Sequence, residues 1–388
     1  MSKAHTTKER LVGLDIFRAV AILLVVWHHS IFILSPLTNL PYVGNLINKA
    51  IVISTWIGPL GVDLFFVLSG FLIGTILIKT FIENEKYGRA EITNFWIRRW
   101  FRTIPNYYFI LSISFIYYIY AYDINFNWKY YLFIQNLTSV HPDFFGEAWS
   151  LAVEEWFYLS LPIFLLIATK LFRKQDKRLV LKSVLVFYLF VFLVLRLVKA
   201  QTHSYIDFDA EIRKVVIFRL DSLIYGVIIA YLMYFRKDFL FKHKGKLLLA
   251  GSAASSIIIS SFFLAAEHSN LYKQNEAVRL FFDSSYYTLI PFFFSLLIPY
   301  AYFFTSLKMP FAERSALHIS QISYSMYLIH YTLIFIPFFK DIHGGSPLSL
   351  VLYYLLYWLL VIGVSTLNFM YFEKPVTRIR DVLSKSES

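Results

Sequence analysis

The sequence predicts an all-α, polytopic integral membrane protein with about ten transmembrane helices. Three observations predict it. Hydrophobic residues make up 58% of the 388-residue chain and charged residues only 16%, against about 45–50% and about 25% in a soluble domain. Apolar runs of about 20 residues, the length that crosses a bilayer, recur from Leu11 to near residue 372 with no polar block between them. The Lys and Arg residues gather in the connections between those runs. The expected organisation is therefore one membrane domain, 11–378, with short cytoplasmic tails at 1–10 and 379–388.

Each run has its own features. The first, 11–34, carries Asp15, Arg18, His28 and His29 and has no small-residue cleavage site, so it reads as a retained helix and not a signal peptide. The second, 59–80, opens with Asp63, and Gly70 and Gly74 give it a small-xxx-small surface for close helix approach. The third, 104–122, follows the basic run FWIRRWFRTIP. The fourth, 149–170, carries Glu154 and Glu155 near its start. The fifth is 180–200. The sixth, 215–235, contains Arg219 and Asp221. The seventh and eighth are 246–266 and 286–305. The ninth, 319–339, holds Tyr327 and His330, and the tenth is 348–372. Two shorter stretches, 46–58 and Trp128 to Leu137, are too short to span and read as re-entrant or interfacial.

A net charge of +12 invites a nucleic-acid reading, but its distribution argues against one. With the N-terminus cytoplasmic, twenty-six Lys and Arg fall on the cytoplasmic side and nine on the other, with Arg196 among the nine. That bias places both termini in the cytoplasm. The chain has no cysteine, which excludes disulfides and Cys-ligated metals. No internal repeat supports an inverted-repeat transporter.

Titratable groups inside a membrane are expensive and tend to face the protein interior. Arg18 and His29 are eleven residues apart, close to three helical turns, which leaves them about 20° out of alignment and about 16 Å apart along the axis. One helix face would carry a guanidinium near one membrane surface and an imidazole toward the other. Counting residues along each span puts His29, Asp63, Glu154, Arg219 and Asp221 at one level, with His330 slightly below. That level reads as a polar cavity suited to general base catalysis, with His29 as base and Glu154 or Asp63 supporting it. His28, about 80° away on the wheel, reads as a packing residue. On the cytoplasmic side, the basic run reads either as a topology anchor or as a phosphate clamp, in which Arg99 and Arg102 are spaced to fork onto phosphate oxygens, with Arg98 beside them. Arg18 would join them, oriented by Asp15 three residues earlier.

In order along the chain, LDxxRAxA…H, GVDLFFVLSGFLIG, RRWFRTIP, WSLAVEEWFYL, RLDSLIYG, ISYSMYLIH and FEKP resemble the acyltransferase family 3 membrane enzymes, from about Leu11 to Arg378. The resemblance implies a bacterial inner-membrane enzyme that moves acetyl or another short acyl group from acyl-CoA to a hydroxyl of a polysaccharide or lipid-linked sugar. It maps the family's Arg-x10-His onto Arg18 and His29, its Arg-x-x-Arg onto Arg99 and Arg102, and its motif carboxylate onto Glu154 in preference to Glu155. The CoA phosphates would sit near Arg99 and Arg102, with Arg98 and Arg18 close by. Asp15, Arg219, Asp221, Tyr327 and His330 would line the rest of the cavity. His29 would act either as base or as an acyl-accepting nucleophile. Acyl-CoA is then a substrate; no permanently bound cofactor and no metal are expected. Because the sequence ends soon after the last span, the hydrolase-like domain carried by some relatives is expected to be absent. Two alternatives remain: a small-molecule or lipid acceptor, and a non-catalytic exporter, which would need a continuous polar path on several helices.

Overall fold

The computed structural model describes residues 11–84, 87–202, 207–268 and 270–383. The tail expected at 1–10, and the part of the other tail at 384–388, lie outside the described residues. The helices are α1 Val12–Ser30, α2 Val43–Ile57, α3 Leu60–Glu83, α4 Arg89–Tyr122, α5 Ala148–Leu171, α6 Lys177–Thr202, α7 Asp221–Phe235, α8 Lys237–Phe263, α9 Leu271–Gln274, α10 Glu276–Ser295, α11 Ile298–Tyr302, α12 Pro310–Ile329, α13 Ile336–Phe339, α14 Pro347–Asn368 and α15 Lys374–Leu383. Among the described residues there is no strand. The chain is an all-α, polytopic membrane protein.

Every expected span coincides with a helix, and eight helical segments are long and apolar enough to cross a bilayer. The other two expected spans fall on α4, whose apolar half is diluted by tyrosines, and on α7, which has only 15 residues. Both short stretches contain helix, and the first is continuous with α3 in one apolar helical segment, Val43–Glu83. Residues of the first form α2, and Trp128–Leu132 forms a 3₁₀ turn. That turn folds back to the middle of its neighbours: the Tyr107 and Tyr108 hydroxyls of α4 donate to the Tyr130 and Tyr131 carbonyls, at 3.0 and 2.6 Å. The Trp156 indole of α5 donates to Phe133 at 2.9 Å.

Lipid tails are as apolar as leucine, so close backbone approach and polar pairs hold such helices together. α3 and α7 lie at the centre and touch through glycines. A Cβ on Gly70 would stand 1.9 Å from the Leu223 carbonyl oxygen, and one on Gly226 would stand 2.1 Å from that of Val67. The expected small-residue surface of α3 is this contact.

One charge was misplaced by the loop count. Arg196 is fully buried inside α6 and forks onto the Asp221 carboxylate of α7 at 2.7 and 2.6 Å. It sits in an apolar run that ends one turn later in Lys199, so by sequence alone it looks like the start of a loop.

Candidate active site

Three cavities stand in series through the bundle, and shared wall residues join each to the next. A basic mouth is bounded by Asp15, Arg18, Arg102, Glu373, Lys374 and Arg378. Arg18 and Arg102 also line a second, narrow cavity of about 90 Å³, together with Ser69, Arg99, Thr103, Glu154 and Tyr327. Val62 and Tyr327 then separate that cavity from a third, of about 380 Å³. The third holds His28, His29, His141, Glu147, His330 and Tyr331. The near-three-turn spacing on α1 therefore has a direct outcome: Arg18 opens on the mouth and the narrow cavity, and His29 opens on the wide one.

In the narrow cavity, Glu154 is a hub. It accepts from Ser69 Oγ at 2.8 Å and from the Tyr158 hydroxyl at 2.9 Å, and lies 3.7 Å from Arg99 Nη2. Arg99 in turn donates to the Tyr158 hydroxyl at 2.6 Å. This array fixes the Arg99 guanidinium in the cavity wall. Arg98, one residue and about 100° away, is exposed and borders none of the three cavities. Asp15 lies 3.6 Å from Arg18 and accepts from Ser320 Oγ at 2.7 Å, which orients the arginine as its spacing suggests.

The expectation that Glu154 supports His29 is corrected by this geometry. Glu154 serves Arg99 and does not line the histidine cavity. Asp63 is likewise taken: it is buried and ion-paired with Arg219, whose guanidinium lies 3.8 Å from the Tyr287 ring centroid. Asp221 is held by Arg196. Arg219, Asp63 and Asp221 border none of the three cavities. Depth along a helix gave their level but not their direction around it, and these groups neutralise one another between α3, α6 and α7.

The carboxylate that does line the histidine cavity is Glu147, at the start of α5. It is seven residues before Glu154, two turns and about 10 Å along the same face. That spacing is visible in GEAWSLAVEE and was the available signal. Glu147 does not touch His29 by any hydrogen bond. Instead it accepts from the Thr332 backbone N–H at 2.8 Å and from the Thr332 hydroxyl.

Thr332 belongs to a π-helical turn, His330–Phe335, inserted between α12 and α13. Such turns break the regular helical ladder, so their backbone groups need other partners. Here the Tyr357 hydroxyl donates to the His330 carbonyl and the Tyr118 hydroxyl to that of Thr332, both at 3.3 Å. The pinned turn sets His330 and Tyr331 against His29, with ring centroids 5.2 and 4.2 Å away. The His28 ring lies 4.8 Å from that of His29 and is tilted 55° to it, and His28 packs so closely on Gly58 that a Cβ there would lie 2.3 Å from its own. His28 is a packing residue, as its phase suggests, although its ring also reaches the cavity.

The Tyr327 hydroxyl stands at the junction of the two cavities, 2.5 Å from Ser150 Oγ and 3.1 Å from the Glu147 carbonyl. At the far rim, Asp209 is ion-paired with both Arg213 and Lys214. Against the desolvation of its site, these two cations hold the Asp209 carboxyl well below the usual carboxylate range. His141, on the loop before α5, is lowered from 6.5 to about 4 by burial, so it is neutral near pH 7.

A family model described as "Acyltransferase domain" matches residues 11–370. The chain is 24% identical over 401 residues to the O-acetyltransferase OatA of Staphylococcus aureus, covering 95% of this chain and 57% of that protein. It is 35% identical over 130 residues to the peptidoglycan O-acetyltransferase OatA of Listeria monocytogenes, covering 29% of this chain and 20% of that protein. The chain thus spans just over half the length of the Staphylococcus relative. No solved structure matches it.

Proposed function

The chain belongs to the acyltransferase domain family, and from that premise we propose that it is a membrane O-acyltransferase that carries an acyl group from acyl-CoA on one side of the bilayer to a hydroxyl of a cell-surface glycan on the other. The observation that carries this reading is the series of cavities, which runs from clustered arginines to clustered histidines. The basic mouth suits the phosphates of an acyl-CoA headgroup, and the Lys and Arg bias assigns that mouth to the cytoplasm. Arg99, Arg102 and Arg18 present planar donors to phosphate oxygens. The narrow cavity suits a thin, extended pantetheine arm, and its end at Tyr327 delivers the thioester beside His29. The wide cavity has room for a sugar. The glycan acceptor follows the names of the relatives.

In this reading, His29 takes the proton of the acceptor hydroxyl as the oxygen attacks the thioester carbonyl. The C–O bond forms, the C–S bond breaks, and the departing thiolate takes the proton back from the imidazolium to leave as CoA thiol. Asp63, Asp221 and Arg219 have no part in the step; they hold the helices that shape the cavity.

The test is His29→Ala in purified protein with acetyl-CoA as donor and a soluble peptidoglycan fragment as acceptor. Removing a general base costs about 10²–10⁴-fold in rate. Transfer should fall by that much while acetyl-CoA still binds. Transfer at near wild-type rate would contradict the assignment of His29.

A further inference from the structure

The His330 ring has one nitrogen fully employed and one with nothing to do. Its Nδ1 lies 2.8 Å from the Tyr327 carbonyl oxygen and 3.1 Å from that of Met326. Both neighbours are acceptors, so Nδ1 carries the hydrogen. In the neutral ring Nε2 is then a bare lone pair. That nitrogen is fully buried and has no hydrogen-bond partner. A buried acceptor left unsatisfied is costly, and native proteins keep few of them. This one is held in place from three directions, through the bonds of Glu147, Tyr118 and Tyr357 to its π turn.

We propose that His330 Nε2 is a specificity-determining contact for the acyl acceptor: it receives a hydrogen bond from a second hydroxyl, next to the one that His29 deprotonates. The acceptor class is then a sugar or polyol with two neighbouring hydroxyls. This rests on the reading of the protein as an O-acyltransferase. Two chemical arguments select the ligand. The carbonyl oxygen and sulfur of a thioester are hydrogen-bond acceptors, so neither gives this lone pair the hydrogen bond it lacks. A hydroxyl has one hydrogen and cannot give it to two bases at once. If His29 takes the proton of the nucleophile, His330, whose ring lies 5.2 Å away, needs a different O–H.

The experiment compares a soluble N-acetylhexosamine oligosaccharide with analogues in which one hydroxyl at a time is replaced by hydrogen, using acetyl-CoA as donor. For wild-type protein, one analogue that keeps the acylated hydroxyl should lose at least about tenfold in kcat/KM, because the site is left with an unpaired group. His330→Asn keeps an N–H for the backbone carbonyls and removes the acceptor nitrogen. It should lose the same factor on the full sugar and be indifferent to the missing hydroxyl. His330→Gln, with an amide oxygen near the ring's far edge, should restore part of the discrimination. Retention of full discrimination by His330→Asn would overturn the proposal. So would an equal fall on the full sugar and on every analogue, which marks a structural role. If His330→Asn does not fold, the wild-type series still decides: no analogue with a deleted neighbouring hydroxyl discriminated against would also overturn it. Wild-type protein that neither cleaves acetyl-CoA nor acylates the sugar would instead contradict the parent reading, and this assignment with it.

Discussion

Glu147 and Glu154 stand two turns apart on one face of α5, and each faces a different cavity. The first pins the π turn that carries His330, and the second anchors Arg99. One helix face thus organises both ends of the proposed reaction path, and the two carboxylates should fail differently.

Glu154→Gln removes the charge that faces Arg99 but keeps the size of the side chain. It should raise the apparent KM for acetyl-CoA several-fold or more, with a smaller effect on kcat. Glu147→Ala removes both bonds to Thr332 and frees the π turn. It should lower kcat by about tenfold or more with donor KM little changed, since a misplaced reacting group is penalised in rate. Steady-state kinetics on both variants check this split. The opposite assignment of KM and kcat effects would contradict it.

Arg98 provides an internal control for the donor site. Lysine keeps charge but loses the planar fork. Arg99→Lys and Arg102→Lys should weaken acetyl-CoA binding, while Arg98→Lys, on an exposed side chain outside the cavities, should not. Titration of CoA onto the purified variants, read by calorimetry, would show the difference.

Asp221 should matter for folding and not for chemistry. Removing one partner of a buried ion pair leaves an uncompensated charge, at about 3–5 kcal/mol. Asp221→Asn should therefore lower the thermal midpoint and the yield in membranes. Any protein that remains folded should bind acetyl-CoA normally, and a loss of binding in folded material would place Asp221 in the site after all.

His141 should make the protein acid-sensitive. Its folded-state value, about 4, lies below its ordinary 6.5 because burial disfavours the charged ring. Between those values the unfolded chain binds more protons than the folded one, so its contribution to stability is present above about pH 6.5 and lost as pH falls toward 4. His141→Gln should flatten the dependence of thermal midpoint on pH between 4 and 6.5. An unchanged slope would mean that other groups control acid sensitivity.

Much of this architecture was legible in the chain because length and apolarity are local properties. All ten expected spans are helices, and the spacing of Arg18 and His29 placed them on one face opening to successive cavities. What the chain hid is azimuthal and tertiary. Residue counting put Asp63, Asp221, Arg219 and Glu154 at one level, but which neighbour each would meet depends on helix rotation. Arg196 looked like a loop charge, and it neutralises Asp221. The π turn at His330–Phe335 leaves no side-chain period to read, so the clamp from Glu147 was invisible, although its two-turn spacing from Glu154 was not. Ser69 precedes the packing residue Gly70 and carries no local signal of its own, yet it donates to Glu154.

The central claim is that donor and acceptor approach from opposite ends of one path. The direct measurement uses proteoliposomes with the protein in one orientation, radiolabelled acetyl-CoA confined to the side of the Arg18 and Arg102 mouth, and a soluble peptidoglycan fragment confined to the side of His29. The account predicts labelled acceptor in that arrangement, none when both substrates share the arginine side, and none with His29→Ala in either. Efficient acylation with both substrates on the arginine side, or transfer across the bilayer without His29, would contradict it.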